Sequence, residues 1–154
     1  MERSSPVYQT YVKILERELV PAMGCTEPIA IAYCAAVARS VLGELPDRIH
    51  VVASGNIIKN VKSVVVPNTG GRRGMETAAA IGALGGDETA GLEVIAHVPQ
   101  KAKDRLERYL QETEVTVGAA QTDHVLDIEV TVSKGNSRAV VRAVNEHTNL
   151  VYIE

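Results

Sequence analysis

Four places in the chain combine residue types that can do chemistry. The first is Cys25, in Met23-Gly24-Cys25-Thr26-Glu27-Pro28. A thiol at a helix start can be a nucleophile, a metal ligand or a small buried residue, and unpaired backbone N–H groups with the positive end of the helix dipole favour its thiolate. The second runs from Ser54 to Met75. Here Lys59, Lys62, Arg72 and Arg73 occur without any acid, interleaved with Gly55, Asn56, Asn60, Asn68, Thr69, Gly70, Gly71 and Gly74. Charge, amides and bare backbone N–H groups of this kind suit a small anion, phosphate or carboxylate. Gly-Lys-Ser/Thr and GxGxxG are both absent, so the segment is neither a Walker A loop nor a dinucleotide fingerprint. The plainer reading makes Lys59 and Lys62 solvated helix charges and the glycines ordinary turns.

The third place is Asp123-His124 with Asp127, a conceivable metal site. On an alternating strand His124 and Asp127 point to opposite faces, which argues against it. The fourth is His147-Thr148-Asn149, three polar residues of a kind that usually forms a turn. A catalytic thiol at position 25 needs an imidazole partner, but His50, His97, His124 and His147 are too distant in sequence to choose between. Cys34 lies in an apolar run and reads as core. Nine residues separate it from Cys25, and at about 100° per residue the two would lie on opposite sides of one helix. No disulfide is expected, and free or metal-bound thiols fit a cytoplasmic protein.

These residues must be held by regular elements. Val7, Tyr11, Ile14, Leu15 and Leu19 recur at helical spacing between charged residues, predicting an amphipathic helix over about 6–20, opened by Ser5-Pro6 and ended by Pro21. A second helix, capped by Thr26 and running to about Leu42, is apolar almost all round and must be buried. Arg48–Ala53 reads as a strand, and Val64–Val66 as a short apolar run stopped by the turn Pro67-Asn68-Thr69-Gly70-Gly71. Met75–Leu84, rich in Ala with Gly82, predicts a closely packed helix ending at Gly85-Gly86. Ala102, Leu106, Tyr109 and Leu110 mark an amphipathic helix after Pro99. Beyond Gln111 the period becomes alternating: Val115 and Val117, then Leu126, Ile128, Val130 and Val132. Lys134-Gly135-Asn136 joins the latter strand to Arg138–Val144 as a hairpin, and an apolar strand from Leu150 finishes the chain. Its abrupt stop suggests a piece of something longer. The expected class is α+β: two amino-terminal helices, a mixed sheet with packed Ala-rich helices, and a carboxyl-terminal antiparallel hairpin.

Composition narrows the function. Sixteen basic and nineteen acidic side chains leave a net charge of -3, with no general basic field for nucleic acid. Five Tyr without Phe or Trp offer little for base stacking or aromatic cages. The amino terminus does not resemble a secretory signal. The uncharged apolar stretch Pro28–Ala38 falls well short of the roughly 20 residues that span a bilayer. Neither nucleic acid nor membrane is therefore an expected partner.

Four ordered motifs carry a specific resemblance: Pro21-Ala22-Met23-Gly24-Cys25-Thr26-Glu27-Pro28; Ser54-Gly55-Asn56-Ile57-Ile58-Lys59-Asn60 with Pro67-Asn68-Thr69-Gly70; Gly91-Leu92-Glu93-Val94; and His147-Thr148-Asn149. Together they resemble the L-cysteine desulfidase family, related to the iron–sulfur L-serine dehydratase alpha chain. Members are much longer, so residues 1–154 are expected to be one amino-terminal domain of a larger enzyme, with sub-lobes 1–111 and 112–154 as the alternative division. The resemblance implies β-elimination from L-cysteine or L-serine without pyridoxal phosphate, assisted by a [4Fe–4S] cluster. Cys25 would be one cluster ligand and the missing carboxyl-terminal part would bring the others, leaving this chain alone without cluster or activity.

By the same resemblance Thr26, Glu27, Gly55, Asn56, Asn60, Asn68, Thr69, Thr148 and Asn149 would meet substrate. His147 and Lys59 are the candidate bases. Arg72-Arg73 stand where small or apolar residues are expected and would suit a more anionic substrate. Two other classes remain: a binding module for amino acids or carboxylates without catalysis, and a structural unit forming a homodimer through its Ala-rich helices or last strand.

Overall fold

A computed structural model describes residues 2–154. Helix α1 spans Pro6–Glu18; Ser5 Oγ accepts from the Tyr8 N–H at 3.1 Å, and the Leu19 N–H closes the last turn on Leu15 O at 2.8 Å. The helix thus stops short of Pro21, whose ring disfavours helical backbone in the residue before it. α1 buries none of its residues.

Helix α2 spans Thr26–Leu42 and is its opposite, with Ile29, Ala30, Ile31, Ala32, Cys34, Ala35, Ala36 and Ala38 fully buried. The helix starts one residue earlier than its sequence suggests: Cys25, not Thr26, occupies the cap position, and makes no side-chain capping bond. Gly43 ends the helix at φ 82.

Five strands form one mixed sheet: β1 Arg48–Ala53, β2 Glu114–Ala119, β3 Asp127–Lys134, β4 Ser137–Val144 and β5 Leu150–Ile153. Their order is β2-β1-β3-β4-β5, with β1 and β2 parallel and the other neighbours antiparallel. A parallel pair needs a long crossover, and here it carries α3 (Gly55–Val61), α4 (Met75–Gly85), a 3-10 turn at Gly91–Glu93 and α5 (Gln100–Glu112). The fold is the expected α+β arrangement. β1 lies between β2 and β3, so residues on either side of position 111 share one sheet.

Alternation along the strands sends Ile49, Val51, Ala53, Ile128, Val130, Val132, Ala139, Val141 and Ala143 inward. α2 covers β3 and β4, while α4 covers β1 and β2. The small residues let α2 and α4 meet closely: a Cβ on Gly82 would lie 2.2 Å from Ala32 O. α5 packs on α4 through Ala102, Leu106 and Tyr109, and the Tyr109 hydroxyl donates to Pro46 O at 2.8 Å. The other sheet face is polar. There Arg142 donates to both carboxylate oxygens of Asp127, at 2.9 and 2.6 Å, and Asp127 is buried to 2% exposure. The β3–β4 hairpin pairs Lys134 with Ser137, leaving Gly135-Asn136 as its loop. Among the described residues no helix is long and apolar enough to cross a membrane.

Candidate functional site

The site begins with a sharp turn. Gly24 takes φ 132, a conformation that L side chains rarely adopt, and delivers Cys25 to the mouth of α2. There the Cys25 thiol donates to Glu27 Oε2 at 2.9 Å, and Thr26 Oγ1 donates to the same oxygen at 3.5 Å. The other Glu27 oxygen lies 4.0 Å from His147 Nε2, which is buried and has no hydrogen-bond partner among the described residues. Thiol, carboxylate and imidazole therefore line up across residues 25, 27 and 147.

The turn between β4 and β5 holds His147 in place. Asn149 Nδ2 donates to Val144 O at 2.9 Å, the Asn145 N–H donates to Leu126 O at 3.0 Å, and Glu146 is paired with Arg17 of α1. Asn145 sits at φ 69, a left-handed position that Asn tolerates better than most side chains, and its Oδ1 accepts from His124 Nδ1 at 3.0 Å. Ser54, buried at the end of β1, ties the 123–126 segment to this corner: its hydroxyl donates to Val125 O at 2.6 Å and accepts from the Asp127 N–H at 3.3 Å.

Two clefts flank His147. One, of about 420 Å³, is lined by Glu27, Asn56, Ile57, Asp123, His124, Val125, Leu126, Asn145 and His147. The other, of about 470 Å³, is lined by Arg17, Glu18, Val20, Thr26, Leu92, Asn145, Glu146, His147 and Thr148. The first offers Glu27 and Asp123 to a cationic group, and amide and imidazole donors to an anionic one.

The electrostatics at Cys25 correct the expectation from the helix dipole. Partial burial and the hydrogen bond to Glu27 push the thiol's pKa up, so it is held as a proton donor rather than a thiolate. Burial first, and then a carboxylate two residues along, outweigh the helix end. Glu27 is displaced the other way: the Cys25 hydrogen bond lowers its pKa, burial opposes, and His147 and Thr26 lower it further.

The predicted site residues divide into two groups. Cys25, Thr26, Glu27, Asn56, His147 and Thr148 lie together around the clefts. Gly55 and Asn56 open α3, whereas Lys59 and Asn60 lie further along it and line neither cleft. Asn68, Thr69 and Asn149 spend their side chains on backbone. Asn68 Nδ2 donates to Ile95 O at 2.7 Å, and Thr69 Oγ1 to Val66 O at 2.7 Å. Arg72 pairs with Glu107 at 3.5 Å and Arg73 donates to Ser63 O. His124 and Asp127 are also separated, His124 in the cleft and Asp127 committed to Arg142. Sequence reasoning missed Asn145; its only local signal is an Asn directly after an apolar strand, next to Glu146-His147.

Cys25 and Cys34 are both free. Burial pushes the Cys34 thiol up to about 12, which makes it an inert part of the core. Among the described residues no three of His, Cys, Asp and Glu converge as a metal cage. The residues of this chain thus do not by themselves fit an iron–sulfur cluster, which needs several thiolates. They offer one thiol that is partly accessible.

The fold and site define an α+β domain carrying a thiol–carboxylate–imidazole group at the start of a buried helix. No family model matches the chain. It is similar to proteins named UPF0597 protein: 51% identical over 154 residues to one from Desulfitobacterium hafniense, 46% over 147 residues to one from Treponema denticola, and 46% over 149 residues to one from Oleidesulfovibrio alaskensis. These matches cover 100%, 96% and 97% of this chain but only 36%, 34% and 35% of the relatives. The chain therefore spans about a third of the length of the curated relatives it matches. Their shared name states no activity.

Proposed function

We propose that the chain is the Cys25-bearing part of an iron–sulfur-dependent lyase acting on L-cysteine or L-serine. One observation carries this reading: Cys25-Thr26-Glu27, Asn56 and His147-Thr148, drawn from three of the motifs behind the family resemblance, gather around two adjoining clefts. In the reaction a base removes the α-proton and the β-substituent leaves as sulfide or water. The resulting aminoacrylate tautomerises to an imine, which water hydrolyses to pyruvate and ammonia. The cluster would be completed by polypeptide outside these residues and would supply Lewis acidity.

The chain's own residues supply binding and proton transfer. Glu27 accepts the substrate ammonium, while Asn56 and Thr26 hydrogen-bond its carboxylate. His147 is the preferred base, since its Nε2 is unpaired beside Glu27; Lys59 is the second candidate, but it lies exposed on α3. Asn68, Thr69 and Asn149 shape the surrounding backbone. A cytoplasmic location belongs to the same proposal.

The test is turnover by the complete gene product, purified without oxygen and reconstituted with iron and sulfide. Sulfide and pyruvate from L-cysteine, or pyruvate from L-serine, are expected. Equal activity in metal-free protein overturns the cluster role, and no turnover of either amino acid by cluster-loaded protein overturns the lyase. In that second case, tight amino-acid binding to the 154-residue chain would instead support a non-catalytic binding module.

A further inference from the structure

Among the described residues α1 presents an apolar stripe that nothing buries. Val7, Tyr11, Ile14 and Leu15 are each about half exposed, at 53%, 55%, 49% and 52%, and Leu19 beyond the helix end is 73% exposed. Helices this short are marginal in water and depend on packing of their apolar face. α1 is tied to the sheet corner by the pair Arg17–Glu146 at its far end, a surface contact of small energetic weight.

We propose that the α1 stripe is a docking surface for the rest of the same polypeptide, the part that lies outside these 154 residues. The relatives support this choice of occupant over a second copy. They match all or nearly all of this chain yet extend to about three times its length, so a gene product of their length would supply a large body of covalently linked chain at high effective concentration. Position supports it too. The end of α1 and the following link contribute Arg17, Glu18 and Val20 to the cleft that also holds Thr26 and His147. A lobe that covers α1 and runs on past its end therefore reaches the cleft holding Thr26, the residue next to Cys25, the one accessible thiol. Its role in bringing further ligands there rests on the lyase reading; the docking itself does not. The surface it presents would be an aliphatic groove matched to the i, i+3, i+4 spacing of Tyr11, Ile14 and Leu15.

Photo-crosslinking on the complete gene product tests this, with Tyr11 replaced by p-benzoylphenylalanine and the products mapped by mass spectrometry. The substitution keeps an aromatic ring at a half-exposed position, and circular dichroism checks that the fold is retained. The expected result is an intramolecular cross-link, at monomer mass, to a peptide outside residues 1–154. A cross-link between two copies of this region, no cross-link in folded protein, or a gene product ending at Glu154 overturns the proposal. The readout needs neither iron nor turnover. An intramolecular cross-link in protein that never acquires a cluster leaves the docking standing and removes the lyase, whereas an active cluster-loaded enzyme without the cross-link does the reverse.

Discussion

α1 and α2 follow one another in sequence, and each is legible as a helix, yet they stand at opposite extremes of burial. α2 has apolar residues all round and is sealed between the sheet and α4, with eight side chains at zero exposure. α1 has a polar face and an apolar face, and among the described residues the apolar face is left about half exposed, with none of its side chains buried. Periodicity predicts the shape of a helix and which side seeks burial, but it does not name what provides that burial. Cys25 stands between the two helices, where a rigid core gives way to an unpartnered surface.

The largest effect should come from α2. Ile31→Ala is expected to cost about 2–5 kcal/mol, the usual range for emptying a sealed aliphatic site, measured by denaturant unfolding of the 154-residue chain. A loss near zero would mean that α2 is not the core element its burial implies.

The Asp127–Arg142 pair comes next. Asp127→Asn is expected to destabilise by about 1–2 kcal/mol, less than for a fully buried pair because Arg142 keeps 38% side-chain exposure. The pH dependence has a definite sign. Arg142, through its hydrogen bonds, holds the Asp127 pKa below the ordinary carboxylate value. This contribution is present above the unfolded value of about 3.9 and disappears as pH falls through the lower folded one. The Asn variant should therefore lose stability less steeply than the parent below about pH 4, which acid titrations followed by circular dichroism will show.

A smaller, local effect is expected at the site. Glu27→Gln removes the carboxylate that holds the Cys25 proton, so the thiol pKa should fall and alkylation by iodoacetamide near pH 7.5 should quicken several-fold. Cys34, sealed in α2, serves as the unlabelled control. Unchanged or slower alkylation would show that Glu27 does not set the thiol's reactivity.

The smallest effect belongs to α1. Ile14→Ala in the 154-residue chain should change stability by no more than about 0.5 kcal/mol, as for a surface position. A loss comparable to that of Ile31→Ala would mean that α1 packs against this chain after all.

Much of this was readable from residue order. Alternation in Ile128, Val130 and Val132 gave β3 its inward face, and the Gly-containing turn after Lys134 gave the hairpin. Ala-rich patterning around Gly82 signalled close helix packing, which the Ala32 approach makes concrete. Strand order was not readable, because pairing β1 with both β2 and β3 depends on contacts far apart in sequence. The site was half legible. Cys25, Asn56 and His147 sit in recognisable motifs, but Asn68 and Thr69 look equally suited to a ligand and instead stabilise their own turn. A side-chain amide gives no sequence sign of whether backbone or solute will satisfy it. The thiol's charge state escapes the sequence for a related reason: the helix end is visible there, whereas the burial that mainly opposes it depends on the packing around Cys25, and the hydrogen bond that adds to it on the rotamer of Glu27.

The most direct measurement is the iron–sulfur content of the complete gene product with and without Cys25→Ala, by Mössbauer spectroscopy alongside sulfide release from L-cysteine. A folded variant whose cluster is lost or altered, with activity gone, is the predicted result. A variant that keeps the parent's cluster spectrum and turnover would contradict the assignment of Cys25 as a ligand and, with it, the proposed function.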